Sequence, residues 1–136
     1  MTDAQIPHFQ ESLEQLKARL LVMGGLAEDR VRASVQALTA SDHAALDTVL
    51  HGDEALNTLH VEIDDRCFKL LALHQPMAVD LRAIISAVKI NNDLERVGDL
   101  AVNIAEAAQR YMTHPPVKPL IDIPRMASIE IGRAHV

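Results

Sequence analysis

Glu95, Asp99, Asn103 and Glu106 recur at helical steps, and Asn92 stands one turn before the first of them. At 100° per residue these five side chains share an arc of about 80°. Carboxylates at i and i+4 repel each other by a few tenths of a kcal/mol. Two such oxygens on one helix can share a hard cation, which would remove that cost. Leu94, Val97, Ala101, Ile104 and Ala108 fill an opposite arc, the seam expected to face a core, with Gly98 between the two. From spacing alone the polar stripe is what any solvated helix shows, so the pattern by itself does not establish a metal site.

The other residues that could do chemistry read more plainly. Arg96 suits an ion pair, and Asp80, in the first turn of the same segment, complements the positive end of the helix dipole. The single cysteine, Cys67, falls on an apolar face and behaves there as a small hydrophobe. Without a CxxC or a Cys/His cluster there is no structural zinc pattern. His43, His51, His60 and His74 are never three or four apart, so no pair can chelate on one helix, while His8, His114 and His135 lie in end or linker segments. A carboxylate-bridged di-iron enzyme needs Glu-x-x-His motifs, and no glutamate here has histidine three positions on. No glycine-rich phosphate cradle appears either.

These side chains must be positioned by helices. Phe9, Leu13, Leu16, Leu20, Met23, Ala27, Val31, Val35 and Leu38 recur at three- and four-residue steps, which predicts an amphipathic helix from about His8 to Leu38. Gly24-Gly25 would bend it or permit close approach of another helix. Ser41 or Asp42 offers an N-cap for a second helical stretch to His74, interrupted near Gly52, where Asp53 can restart it, so one kinked helix or two collinear ones fit. Gln75-Pro76 imposes an extended residue and a stop. A third helix runs from Met77 to Met112, roughly 54 Å long. The expected fold is all-α: an antiparallel three-helix bundle over residues 8–112. The proline-rich segment from Thr113 reads as a linker leading, over 113–128, into the start of a second unit, with Pro124 suited to a first helical turn. Residues 129–136 are expected to be a non-native tail, because Glu130 to Val136 reads like a frame through a sequencing-library adapter.

Composition narrows the function classes. With 13 Lys+Arg against 19 Asp+Glu, the net charge of −6 disfavours nucleic acid and membrane surfaces. Two Phe, one Tyr and no Trp leave no stacking platform, so the core must be aliphatic. No segment reaches the roughly 20 apolar residues of a membrane span, and the expected setting is the cytoplasm.

The run Gln75-Pro76-Met77-Ala78-Val79-Asp80-Leu81-Arg82, the segment Asn91-Asn92-Asp93-Leu94-Glu95-Arg96-Val97-Gly98-Asp99 and then Asn103-Ile104-Ala105 closely resemble the PhoU family of bacterial phosphate-signalling proteins. Leu20 to Gly24 and Pro119 to Met126 resemble it too, so the likeness covers about residues 8–127. The family has two tandem three-helix repeats, each with an E(D)xxxD motif. The resemblance implies that Glu95 and Asp99 are metal ligands, with Asn92, Asn103 and Asp80 as further candidates. The metal would be iron, zinc, manganese or magnesium, and oxygen-only ligands suit hard cations better than structural zinc. It also implies a non-enzymatic negative regulator of phosphate uptake and of the phosphate-starvation response, working with the transporter ATPase PstB and the sensor kinase PhoR. A PhoU-like interaction domain of a membrane transporter is the alternative. Only the entry to a second repeat is present, so an exposed apolar flank and self-association, with a homodimer as the product, are expected.

Overall fold

A computed structural model describes residues 5–52, 54–113 and 120–134. Five helices follow one another: α1 Gln5–Thr39, α2 His43–His51, α3 Glu54–His74, α4 Ala78–Tyr111 and α5 Asp122–Ala134. No strand occurs among the described residues. The first four make the expected antiparallel bundle, with α2 and α3 in succession occupying the place of its middle member. Cross-helix contacts fix the direction. Arg66 reaches Gln15 and Arg19 reaches Glu62, so residue numbers fall along α3 as they rise along α1.

Most of the seam of α1 is as the spacing predicts, since Phe9, Leu13, Leu16, Met23 and Ala27 are buried. In its last third Leu38 is buried as predicted, and Arg30, Ser34 and Ala37 are buried beside it, whereas Val31 and Val35 are half-buried. The two valines face α5, which lies along α1 and leaves cavities lined by Val31 and Val35 on one side and by Ile131 and Ala127 on the other. Pro124 sits in the first turn of α5, as expected, and α5 continues past residue 129 to Ala134. The linker at 114–119 lies outside the described residues. Gly24 and Gly25 neither break α1 nor admit a neighbour, because a Cβ at either would meet nothing within 4 Å.

Asp42 is the N-cap of α2, its carboxylate accepting from the amides of Ala44 and Ala45, both at 3.1 Å. The Ala45 amide first, then the Gln36 side chain, hold its pKa below the usual carboxylate value. Ser41 instead takes φ 50°. Asp53, expected to cap the restart, lies outside the described residues. Gly52 ends α2, and a Cβ there would collide with the Thr48 carbonyl oxygen. Arg30 closes this junction from α1: Nη2 donates to the Val49 carbonyl at 2.7 Å and Nη1 to that of Gly52 at 2.8 Å. A guanidinium fork on C-terminal carbonyls satisfies acceptors that the helix itself cannot.

Gln75 also departs from expectation. It takes φ 45° ahead of Pro76 rather than an extended conformation, because it serves as the left-handed residue that ends α3, its amide reaching Leu71 at 3.3 Å. Two apolar clusters fill the bundle. One runs from Phe9 to Ala87 through α1, α3 and α4. The other gathers Ala37, Leu46, Val49 and Ala105 around α2. Alanines on α4 keep its axis close to α1 at that end.

Candidate functional site: the polar edge between α3 and α4

Helix α4 is rotated relative to the expected seam. Its buried residues are Ile84, Ala87, Asn91, Gly98, Ala101, Ala105 and Ala108, so Ala101 and Ala108 are core as expected but the core face lies about a sixth of a turn nearer the acidic stripe than the apolar spacing suggests. Gly98 is therefore core, where a Cβ would run into the buried Leu56 side chain of α3. That glycine is one reason α3 and α4 approach so closely. The stripe does not stand opposite the core but at its edge, along α3.

His60 meets the stripe there. Its Nε2 lies 2.8 Å from Glu95 Oε2 and 3.2 Å from Asn92 Oδ1. One turn nearer the core, Asn91 Nδ2 donates to the His60 carbonyl at 3.0 Å. Asn91 is fully buried, and its Oδ1 has no hydrogen-bond partner. An amide clip thus holds the backbone of α3 while a carboxylate and a second amide hold the imidazole above it. Glu95 is in part exposed, so it stays accessible from solvent.

The remaining candidates are less assembled. Asp99 and Asn103 are exposed and have no ion pair or side-chain hydrogen bond among the described residues. They continue the line of Glu95 at one and two turns along α4, about 6 Å and 12 Å further on. Asp80 is separated from it by 15 residues of helix, roughly 22 Å, so Asp80 and Glu95 cannot ligate one ion. Arg96 is exposed and forms no ion pair among the described residues. No group of three or more His, Cys, Asp or Glu side chains is placed to hold a metal among the described residues. Glu95 and Asp99 present two carboxylates one turn apart on an open face, which is fewer ligands than a hard cation takes.

His60 and Asn91 escaped the sequence reading. Spacing along one helix does not reveal His60, because its partners lie across the bundle. Antiparallel register was the available signal: Leu56 meets Gly98, so the residue one turn further along α3 must face the turn before Gly98 on α4. Cys67, by contrast, lies where its spacing predicts. It is buried, and burial together with the Asp64 charge pushes its thiol up to about 11.

Comparison with known proteins is consistent from sequence to fold. The family model described as the PhoU domain matches residues 20–108. The phosphate-specific transport system accessory protein PhoU homologue of Caulobacter vibrioides is 40% identical over 98% of this chain, and that of Aquifex aeolicus is 38% identical over 88%. The chain spans 58% and 54% of those two relatives' own lengths. The crystal structure of PhoU from Pseudomonas aeruginosa superimposes with a TM-score of 0.87 at 34% identity, over 93% of this chain and 61% of that one.

Proposed function

Because this chain belongs to the PhoU family, we propose that it acts as a negative regulator of phosphate uptake and of the phosphate-starvation response, through the transporter ATPase PstB and the sensor kinase PhoR. The observation that carries this reading is 40% identity across 98% of the chain with a protein named for the phosphate-specific transport system. The role is one of contact rather than catalysis: a rigid helical surface is recognised differently by its partners in two signalling states. The cytoplasm is where such partners present their soluble faces, and among the described residues no helix is long and apolar enough to cross a membrane.

In this reading Glu95 and Asp99 contribute half of a cation site, and a second copy or a second repeat contributes the rest. Exposed apolar side chains such as Leu100, Ile121 and Met126 support a partner surface, with a homodimer the expected form of the isolated chain. The metal, from iron, zinc, manganese and magnesium, is the one whose binding Glu95→Gln and Asp99→Asn abolish together while the helical circular-dichroism spectrum is kept. The regulatory role is tested by expressing this chain in a bacterium that lacks its own PhoU-family protein. Repression of a phosphate-starvation reporter at high phosphate, with co-purification of PstB and PhoR, is the expected result. A reporter that stays on, with neither partner retained, would overturn the reading.

A further inference from the structure

At the other end of α3, where α1 begins, a cavity of about 170 Å³ opens between the two helices. Its polar wall is Ser12 and His8 from α1 and Arg66, Lys69 and His74 from α3, and the rest is leucine. Each of these five side chains can donate a hydrogen bond, and no carboxylate lines the cavity, although the chain as a whole carries −6. We propose that this cavity binds a small tetrahedral oxyanion, either free phosphate or the phosphate group of a small metabolite.

The donors are held but not used up. Arg66 Nε is buried with no hydrogen-bond partner among the described residues. Arg66 Nη1 is 3.4 Å from Gln15 Oε1 and Nη2 is 3.7 Å from Glu62 Oε1, the long end of the range and beyond it. The Lys69–Asp65 pair is close at 2.8 Å but lies in solvent on both sides, where such pairs are easily exchanged. His8 and His74 stand with ring centroids 6.0 Å apart, and Phe9 packs against His74 at 5.1 Å, which fixes one wall. Glu62 and Asp65 are the neighbouring acids: Glu62 gives its short contact to Arg19, outside the lining, and Asp65 pairs with Lys69 on the solvent side, so an anion entering the cavity must compete with Asp65 for that ammonium. Donors converging from two helices suit an acceptor with oxygens in several directions, and a guanidinium matches two of them at once. Glycine-rich loops are the usual sequence sign of such a site; here the cradle is made of side chains from distant segments.

The inference stands on the donor set and does not depend on the transport role. Its test is a titration of the isotopically labelled chain with inorganic phosphate and, in a second arm, with glycerol phosphate, against sodium chloride at matched ionic strength. Saturable amide shifts confined to residues 8–12 and 66–74 are expected from at least one of the two. The tighter arm identifies the source. Lys69→Ala, a change at a largely exposed side chain, should weaken the binding several-fold, and Arg66→Gln by roughly tenfold. Shifts no larger than those from chloride, or saturable shifts that Lys69→Ala and Arg66→Gln both leave unchanged, would overturn the proposal.

Discussion

Two fastenings hold the middle of this bundle, and they are built on opposite terms. Arg30 ties α1 to the α2–α3 junction through a buried guanidinium that donates to two neutral carbonyls, those of Val49 and Gly52. His60 ties α3 to α4 through a part-buried imidazole whose partner is the Glu95 carboxyl group. The first has a fixed charge, which proton exchange and salt scarcely touch. The second carries opposite charges only when the imidazole is protonated, and water competes for it. Permanent architecture has been placed at one joint and an adjustable contact at the other, beside the stripe that bears the family's acidic motif.

Removing the fixed fastening should have the largest effect. Arg30→Ala leaves the α2 carbonyls without their fork and opens a void beside Leu26 and Leu56. Charge-assisted hydrogen bonds and lost packing together predict a loss of about 3 kcal/mol, read as a lower urea midpoint. Arg30→Lys should restore little of it, because an ammonium cannot span both carbonyls. Next comes the buried clip under the adjustable contact. Asn91→Ala deletes the hydrogen bond to the His60 carbonyl and leaves that acceptor half-buried, a cost of about 2 kcal/mol. If Asn91→Ala proved harsher than Arg30→Ala, the contrast between the two joints would be reversed.

Two turns along α3 from His60, Cys67 shows what full burial on the same helix does to a titrating group. Its thiol is pushed from 9.0 to about 11, chiefly by desolvation and then by Asp64. A raised folded-state value means the folded chain holds the proton more tightly than the unfolded one. That contribution is whole below pH 9 and is lost as the pH rises toward 11. Wild-type stability should therefore fall over that window, and Cys67→Ala, although less stable at neutral pH, should show a shallower fall. Alkylation of the native thiol at pH 7 should be slow and should accelerate on unfolding.

The sequence made most of this frame legible, because helix period, caps and prolines are local signals. Asp42, Pro124 and the apolar face of Cys67 are all where local rules put them. What escaped is what depends on a neighbouring helix. Arg30 and Ser34 look like solvent residues until α2 arrives to use the first. Val31 and Val35 look like core, yet they face α5 across cavities and are only half-buried. Asn91 reads as polar surface, yet it is fully buried because one backbone carbonyl of α3 needs it. In each case the pattern of residue types is right for a helix and silent about which flank another element will cover. The acidic stripe follows the same logic, since its place at the core edge is set by Gly98 admitting Leu56.

The smallest effect belongs to the adjustable fastening, and it is the one whose sign carries most information. Glu95→Gln keeps the shape and removes the charge. A double-mutant cycle of Glu95→Gln with His60→Gln should give a coupling of no more than about 1 kcal/mol, as expected of a contact that water can reach. A cation taken up by Glu95 and Asp99 should lower that coupling, because the metal and the imidazole compete for one carboxylate. A coupling well above about 1 kcal/mol that added cations leave unchanged would make His60–Glu95 a second fixed joint like Arg30. The two joints would then be fastened on the same terms, and the stripe would lose a contact that a signal could loosen.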